Sequence, residues 1–576
     1  MSQVIYLDGL STQSQIDENT KLFELTLKHD KITHFHKLTD LITYVSITGA
    51  SELDVNYPYI IIVNAPPTST DCSSLNFLGF SDIHFLLKTH YKHLNTLVYS
   101  LDKYNIAEIN QDINNYHDTL KNRIMRMKTW CGLNNDKIKK CPCLHSMTNC
   151  INLILQNDPV KVSKTREFSK LISKEIDFYG SLTLRHADEL EYYKYCIGNW
   201  GFIAHDLTCD ELTYCALLIF KQCFDIVGLD NELILSDNEV LCFLFSLRDS
   251  YRGGNAFHNF RHAVDVLQAT FYFLVRIGAL PAFREYTEDL QIHPEEQLKQ
   301  SKNATFNKNG GDFESHFDLD TALLHPIQTL ALLVASVGHD VGHPGLTNQF
   351  MNDNGTPISK IYSGLSTLEN YHSTIFQDIL TDHWPIFLNN TYTRDGKSPL
   401  NTSVLQVDSI IATDMANHFE YIQKIDEIHQ ELRDPVKRRN VKNNKRYATT
   451  LLSLIIKCAD ISNVTRPLSI SIKWGVILTR EFSEIALLTK HLKDPQAVNI
   501  ETIKDVRKFA EFPEDIAQAL EEFPRLYDGQ LFFINTFADS LFTEAANVLP
   551  ELGFSKVLID LNKEYWISLK KANDKS

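Results

Sequence analysis

The residues of this chain most suited to chemistry are histidines and aspartates that stand beside long apolar stretches. His262 opens one such stretch, and the adjacent His339 and Asp340 follow a second. Asp460 closes a third. Two imidazole nitrogens and two carboxylates form a mixed ligand set that suits zinc or another divalent cation at a catalytic site with open positions. A carboxylate beside such apolar residues is costly unless a cation compensates its charge, so the pattern predicts a buried metal centre.

Two further features indicate what such a metal centre would do. The second carboxylate oxygen of Asp340 could bridge to a second cation whose other ligands are mainly water, as Mg²⁺ or Mn²⁺ prefers. A pair of bridged metals generates a hydroxide, holds it in line with a phosphorus atom and neutralises the phosphoryl oxygens. His258 lies four residues before His262, and on one helix both imidazoles would project to the same side. Hydrolysis of a phosphoester is therefore the predicted chemistry.

The elements that must position these side chains are predicted to be buried helices. Apolar residues recur at helical spacing in Ala263–Gly278, and the apolar segments Thr329–Gly338 and Leu451–Ala459 carry the other ligands at their ends. The same helical spacing dominates the chain from about Tyr192 onward. The sequence therefore predicts an all-α catalytic domain, a compact multi-helix bundle whose metal site lies between helix ends at the floor of a pocket.

The earlier part of the chain has a different character. Extended-looking runs such as Val4–Asp8 and Tyr59–Pro67 alternate with helical stretches such as His117–Trp130. This alternation predicts a smaller mixed α/β domain over residues 1–185, in which we find no catalytic motif. The catalytic domain is then expected to occupy residues 186–576.

Composition excludes several classes of partner. Of the 576 residues, 56 are Lys or Arg and 72 are Asp or Glu, giving a net charge of -16 that does not suit binding to a nucleic acid backbone. No apolar stretch approaches the roughly 20 residues that cross a bilayer, so no membrane span is expected. The first residues do not resemble a secretory signal, and the 11 cysteines are an odd number spread along the chain. A cytoplasmic location with reduced thiols is predicted, whereas the oligomeric state is not readable.

Three other segments are expected to be unremarkable. The cysteine-rich stretch Cys141–Cys150 could suggest zinc, but it lacks the paired C-x-x-C spacing of a structural zinc site, and ordinary thiols are the better interpretation. The polar segment Glu285–His316 and the basic segment Arg433–Arg446 are both predicted to be surface loops.

Six motifs stand in a diagnostic order along the chain. They are His258–His262 (HNFRH), His339–Gly345 (HDVGHPG), Leu368–His372 (LENYH), Thr413–Met415 (TDM), Cys458–Asn463 (CADISN) and Gly529–Ile534 (GQLFFI). This order resembles the class I 3′,5′-cyclic nucleotide phosphodiesterases over about Tyr192–Tyr565. Within that family the long insertions and the separate N-terminal part are most similar to the fungal high-affinity cyclic AMP phosphodiesterases.

The resemblance implies a role for each motif residue. The tighter metal, commonly zinc, would be held by His262, His339, Asp340 and Asp460, and Asp340 would also bridge to the second metal, Mg²⁺ or Mn²⁺. The waters of that second metal would be held by His343, Glu369 and Thr413. His258 would protonate the leaving O3′, and the purine would be bound by Asn463, Gln530 and Phe533. Three positions depart from the commonest family pattern without removing a metal ligand: Phe257, Gly342 and Tyr371.

The implied function is hydrolysis of the 3′ phosphoester of cyclic AMP to 5′-AMP by a hydroxide bound to two metals, which lowers cyclic AMP signalling. A purine amide can rotate to serve either purine, so a dual or cyclic GMP-preferring enzyme remains an alternative. A metal phosphohydrolase of the HD type acting on linear nucleotides is another, because His/Asp sites serve several such reactions. A third alternative is a non-catalytic cyclic nucleotide sensor that kept the fold.

Overall fold

The structure is a computed structural model of the chain. It describes residues 3–27, 32–48, 59–69, 71–89, 96–116, 120–133, 147, 151, 159–226, 228–252, 254–283, 322–389, 391–392, 400–498 and 512–574. The predicted loop Glu285–His316 lies outside the described residues, as does the cysteine-rich stretch Cys141–Cys150 apart from Met147.

The N-terminal part is built on a four-stranded parallel sheet. Its strands are β1 (Gln3–Asp8), β2 (Ile32–Phe35), β3 (Tyr59–Asn64) and β4 (Thr96–Ser100), in the spatial order β2-β1-β3-β4. Val4 pairs with Ile32 on one side and with Ile60 on the other. Parallel strands need crossover connections, and a helix follows β1, β2 and β3 in turn: Gln13–Leu27, Leu38–Thr43 and Phe80–Thr89.

Both faces of this sheet are covered, as continuous apolar strands require. Along β1 the side chains alternate between two cores, because successive residues of a strand point to opposite faces. Val4 and Tyr6 pack with Phe23 of the helix Gln13–Leu27. Ile5 and Leu7 instead belong to the large core that continues into the helical part of the molecule.

The remaining described residues are mostly helical. Two further helices of the N-terminal part are Ile106–Tyr116 and Leu120–Trp130. Those that follow are Pro159–Glu175, Phe178–His186, Leu190–Ile197, Cys209–Phe224, Asp237–Ser250, Phe260–Arg276, Pro326–Gly338, Asn348–Asp353, Pro357–Ile361, Thr367–His383, Pro385–Asn389, Thr402–Ile411, His418–Leu432, Pro435–Arg439, Lys445–Asp460, Leu468–Lys493, Ile516–Glu522, Leu526–Phe533, Asp539–Val548 and Gly553–Asn573. A short antiparallel pair, β5 (Thr391–Tyr392) with β6 (Leu400–Asn401), is the exception among the described residues. The prediction of an all-α catalytic part preceded by a smaller mixed α/β part is confirmed.

Three helices form the centre of the bundle and carry the predicted ligands. They are Phe260–Arg276, Pro326–Gly338 and Lys445–Asp460, and each packs against the other two. Every residue of Pro326–Gly338 is buried, which explains its uninterrupted apolar sequence, since a helix surrounded by other helices has no solvent face. Their mutual packing brings their ligand-bearing ends to one place.

The helix Pro159–Glu175 connects the two parts of the molecule. It packs against the N-terminal helix Phe80–Thr89 and also against the later helices Asp237–Ser250 and Thr367–His383. Its Phe168 and Ile172 belong to the same continuous core as the sheet residues Ile5 and Leu7. The apolar core therefore runs through both parts without interruption.

The basic segment Arg433–Arg446 is not the loop that its charge pattern predicts. It contains the short helix Pro435–Arg439, which is capped by the Asp434 carboxylate accepting the Val436 N–H at 2.9 Å. The segment ends in the start of the helix Lys445–Asp460. The prediction was wrong because a capping aspartate and a proline at the first helical position outweigh a run of solvated charges.

No helix in the described ranges combines the length and the apolarity that a bilayer crossing requires.

Candidate active site

Helix ends deliver the four predicted metal ligands to one place. His262 lies in the first turn of Phe260–Arg276, where the Asn259 side chain accepts the N–H groups of Arg261 and His262 as an N-terminal cap. Asp460 is the last residue of Lys445–Asp460. His339 and Asp340 form the turn directly after Pro326–Gly338.

Tyr251 fixes the turn that carries His339 and Asp340. Its hydroxyl donates to the carbonyl oxygen of Val337 at 2.9 Å and accepts the N–H of Asp340 at 3.3 Å. The hydroxyl therefore bridges the last residues of the helix and the turn that follows. This bridge holds the Asp340 backbone in place while its carboxylate faces the other ligands.

The two carboxylates of this set both lie against the two imidazoles. The Asp460 carboxylate is 3.3 Å from Nε2 of His262 and 3.3 Å from Nε2 of His339. The Asp340 carboxylate is 3.3 Å from Nε2 of His339 and 3.7 Å from Nε2 of His262. His339 is fully buried. Four donor atoms thus converge in a site that water reaches poorly.

This arrangement fits a cation. The Nδ1–H of His339 donates to the Ser336 carbonyl at 2.9 Å, so Nε2 is the ring nitrogen left for a cation, and it has no hydrogen-bond partner among the described residues. A metal-binding histidine commonly uses its other ring nitrogen in this way. Burial alone would lower the pKa of His339, but the carboxylates of Asp340 and Asp460 raise it well above its usual value. The same negative field that favours a proton there favours a divalent cation.

A second group of ligand atoms shares the Asp340 carboxylate. His343 and His372 join Asp340 in a set whose ligand atoms all lie within 4.8 Å of one another. The Nδ1–H of His372 donates to the Val341 carbonyl at 2.8 Å, and its Nε2 faces Asp340 at 3.7 Å. Burial lowers the pKa of His372 to about 4, so the imidazole is neutral near pH 7 and can bind a cation. His372 was quoted within a motif but not predicted as a ligand.

His343 is oriented differently from His372. Its Nδ1 accepts the N–H of Gly345 at 3.0 Å. Burial lowers the pKa of His343 well below its usual value, so the neutral ring carries its proton on Nε2. An imidazole in this tautomer offers a donor toward the site, which suits a water molecule better than direct binding of a cation.

Of the two other residues predicted to hold water near the second metal, Glu369 is half-buried and belongs to neither ligand group, and Thr413 is buried. Burial, with the charge of Asp414, raises the pKa of Glu369 to about 8, and its carboxylate accepts two hydrogen bonds from Asn348, at 3.1 and 2.9 Å. The Thr413 hydroxyl donates to the Ile410 carbonyl at 2.8 Å. The charge of Asp340 also raises the pKa of Glu369, which connects Glu369 electrostatically to the predicted ligands.

His258 lies beside the second group, outside the helix. The prediction that His258 and His262 share one helix was wrong, because Asn259 caps the helix and His258 precedes it. The His258 ring stacks on His343, with ring centroids 3.9 Å apart. The Asn255 amide fixes this region by donating to the carbonyls of His258 and His343, both at 2.8 Å.

Glu481 holds His258 through both its ring and its backbone. Its carboxylate hydrogen-bonds Nδ1 of His258 and accepts the backbone N–H groups of Phe257 at 2.9 Å and His258 at 3.2 Å. Burial alone would lower the pKa of His258, but the Glu481 charge and hydrogen bond raise it to about 9. His258 is therefore charged near pH 7 and can donate a proton. No motif in the sequence pointed to Glu481.

The three predicted purine contacts lie on two short elements. Asn463 is buried in the 3₁₀ turn Ser462–Thr465 that follows Asp460. Gln530 is buried and Phe533 half-buried on the helix Leu526–Phe533. Phe533 packs against the Phe537 ring with centroids 5.6 Å apart.

Two of the departures from the family pattern are in contact with each other. Gly342 has a left-handed backbone, with φ of +76°. A Cβ atom at this position would lie 3.0 Å from Cε1 of Tyr371. The Tyr371 ring thus lies in the space that a side chain at position 342 would use.

Comparison with known proteins agrees with this geometry. A family model described as 3′5′-cyclic nucleotide phosphodiesterase matches residues 257–557. The chain is 30% identical to 3′,5′-cyclic-nucleotide phosphodiesterase 2 of Saccharomyces cerevisiae over 494 residues, which cover 82% of this chain and 79% of that protein. It is also 30% identical to cGMP-specific 3′,5′-cGMP phosphodiesterase 3 of Dictyostelium discoideum over 62% of this chain and 60% of that one.

A solved structure extends the likeness beyond the catalytic part. The crystal structure of yeast caPDE2 superimposes with a TM-score of 0.76 at 32% identity, covering 99% of this chain and 100% of that chain. The match therefore includes the N-terminal sheet and the helices that carry the predicted metal ligands.

Proposed function

This chain belongs to the 3′,5′-cyclic nucleotide phosphodiesterase family, and on that premise we propose that it hydrolyses the 3′ phosphoester bond of cyclic AMP to give 5′-AMP. Action on cyclic nucleotides follows from the family, whereas the choice of cyclic AMP and the roles of individual residues are our proposal. In a cell this activity would lower cyclic AMP signalling.

One observation carries the proposal: a charged His258 stands beside a cluster of cation-binding groups. The His258 ring stacks on His343, which shares a ligand group with Asp340. Asp340 in turn contacts the first ligand group through His339. A proton donor next to a divalent cation site is what cleavage of a phosphoester requires.

We assign the first cation to zinc, held by His262, His339, Asp340 and Asp460, because a set of nitrogen and carboxylate ligands suits that ion. We assign the second to Mg²⁺ or Mn²⁺ beside Asp340, with His343, Glu369 and Thr413 holding its waters. When bound, these ions would supply Lewis-acid activation of water and neutralise charge on the phosphoryl oxygens.

The protein groups then have separate tasks. His258, held in its charged form by Glu481, donates a proton to the leaving O3′. Gln530 binds the purine edge and Phe533 stacks on its face, as an amide and an aromatic ring can. Asn463 adds a polar contact that favours adenine. The charged donor supports cleavage of a phosphoester bond because an alkoxide leaves poorly without a proton.

The deciding experiment compares cyclic AMP with cyclic GMP. Purified protein is assayed with each nucleotide in Mg²⁺, before and after treatment with a chelator, and the 5′-monophosphates are quantified. We expect turnover that the chelator abolishes and a strong preference for cyclic AMP. Equal or greater turnover of cyclic GMP would instead favour the second candidate, a dual or cyclic GMP-preferring enzyme, which the Dictyostelium relative supports by its name.

Two other outcomes would reject the proposal altogether. Hydrolysis of linear nucleotides without hydrolysis of cyclic ones would indicate a phosphohydrolase of the HD type. Binding of cyclic nucleotides without turnover by metal-loaded protein would indicate a sensor. The cytoplasmic location and the division of the chain at residue 185 stay predictions.

A further inference from the structure

Gly475 stands where a helix would favour another residue. It lies in the second turn of the 26-residue helix Leu468–Lys493 and is buried. Glycine inside a helix is less favourable than alanine. Its backbone is not left-handed, since Gly475 is absent from the described positive-φ glycines. The backbone conformation at this position therefore does not require glycine.

The space beside Gly475 is occupied by the side chain of Gln530. A Cβ atom at position 475 would lie 2.6 Å from Nε2, 3.1 Å from Cδ and 3.6 Å from Oε1 of Gln530. These three atoms make up the carboxamide, and they are the nearest atoms to that position. The amide of Gln530 thus lies against the bare backbone of Gly475, a position open only when residue 475 lacks a side chain.

The same helix also reaches the catalytic residues. Trp474, the neighbour of Gly475, packs against the His262 ring at 5.9 Å and the Phe257 ring at 5.4 Å between centroids. Glu481 lies two turns further along and holds His258. One helix therefore contacts both the catalytic histidines and the amide of Gln530.

From this packing we infer that Gly475 is a positioning residue for purine binding, because it admits the Gln530 amide to the place where that amide can meet the base. The inference rests on the proposed function, in which Gln530 binds the purine. A methyl group at position 475 displaces the amide. The amide is the far end of a flexible side chain, so it moves aside without disturbing the fold.

The test is Gly475→Ala in the full-length, metal-loaded protein, with steady-state kinetics on cyclic AMP. We expect KM to rise by about tenfold or more while kcat changes by less than about threefold, since the displaced contact is to the base and not to the reacting phosphate. The thermal midpoint should not fall, because alanine is the better helix former.

Gly529→Ala is the matched control. Gly529 precedes Gln530 on the same short helix, and a Cβ atom there would meet nothing within 4 Å. This variant should keep both KM and kcat within about twofold of the parent, because surface substitutions of this kind have small effects. An equal rise in KM for both glycine variants would overturn the inference.

A double-mutant cycle with Gln530→Ala separates positioning from a general structural effect. Gln530→Ala alone should raise KM, and adding Gly475→Ala should then change KM no further, because the amide that it displaces is gone. If the two substitutions instead raise KM by factors that multiply, Gly475 acts independently of Gln530 and the inference is rejected. If Gly475→Ala misfolds, Gln530→Ala should restore folding, and failure to restore it would also reject the inference.

Failure of the two proposals can be told apart. If the parent protein does not turn over cyclic AMP, the proposed function is rejected. If the parent turns over cyclic AMP and the KM of Gly475→Ala is unchanged, the proposed function stands and only the role of Gly475 is rejected.

Discussion

A single glutamate determines the state of the proposed proton donor. Glu481 accepts two backbone N–H groups as well as hydrogen-bonding the His258 ring, so it sets the position of the imidazole and its charge together. The residue lies 223 positions away along the chain. Its importance comes from tertiary packing, which the surrounding helix sequence does not indicate.

Replacing His258 with alanine should slow turnover of cyclic AMP by roughly 10² to 10⁴, the range typical for loss of a general acid. The metal content should not change, because His262, His339, Asp340 and Asp460 remain. The measurements are kcat and elemental analysis of the purified variant. Near-normal turnover would mean that another group protonates the leaving oxygen.

Replacing Glu481 with glutamine should shift the pH dependence of kcat/KM. The raised pKa of His258 keeps the ring protonated, and activity is lost as pH rises through that pKa. Glutamine keeps an acceptor for the backbone N–H groups but lacks the charge, so the pKa of His258 falls and the alkaline limb moves to lower pH. Glu420→Gln, at an exposed position, should leave the profile unchanged. If the alkaline limb of the kcat/KM profile does not move in Glu481→Gln, Glu481 does not set the pKa of His258.

At the scale of elements, the helices could be predicted but not the junctions between them. Apolar spacing indicated the helices that begin at Phe260 and Lys445, since a buried helix needs apolar residues on most of its surface. The exact start was missed at His258, because the cap formed by Asn259 decides it. The short helix Pro435–Arg439 was missed for a similar reason, since its cap is local and its charges resemble those of a loop.

The sequence predicts that the four proposed ligands lie close together, and the structure brings them together because they lie at the ends of packed helices. The side chains around them could not be predicted. His372 lies in the motif Leu368–His372, from which the sequence analysis assigns a role to Glu369 only. Lys457 illustrates the harder case: its buried ammonium donates to the Ala412 carbonyl at 2.7 Å, beside Thr413. Burial lowers the pKa of Lys457 to about 8. A lysine in an apolar helix gives no sequence sign of such a contact.

Asp460→Ala tests the convergence of the helix ends. The change removes a carboxylate that lies 3.3 Å from both His262 and His339. We expect loss of the tighter metal together with activity, because binding of that ion depends on the complete ligand set. Metal content and cyclic AMP turnover are measured side by side. The surface variant Asp560→Ala should keep both, and metal retained in Asp460→Ala would contradict the assignment.

At the scale of the whole molecule, the N-terminal part is tied to the catalytic helices by buried polar contacts. Arg248 donates to the Ser46 carbonyl at 2.7 Å. Arg123 pairs with Glu484 at 2.9 Å, with exposures of only 3% and 6%. Glu484 lies on the same helix as Glu481, one turn away. The first part of the chain therefore supports the helix that positions His258.

Arg123→Met should destabilise the protein strongly. Removing one partner of a buried ion pair typically costs about 3 to 5 kcal/mol, because the remaining charge stays in an environment that solvates it poorly. The free energy of unfolding is obtained from urea titration. Arg446→Met is the control, since Arg446 pairs with Glu431 at an exposed site where water and salt screen the pair, so this change should cost far less. Equal losses in the two variants would show that burial does not matter here.

The continuous core that joins the two parts has a consequence for synthesis on the ribosome. The helix Pro159–Glu175 packs against Thr367–His383, which is translated roughly 190 residues later. At about 5 to 20 residues per second, that interval is about 10 to 40 s. Until then the face of Pro159–Glu175 that packs against Thr367–His383 stays uncovered in the nascent chain. This protein should accordingly depend on chaperones during translation more than a protein whose first domain closes its own core.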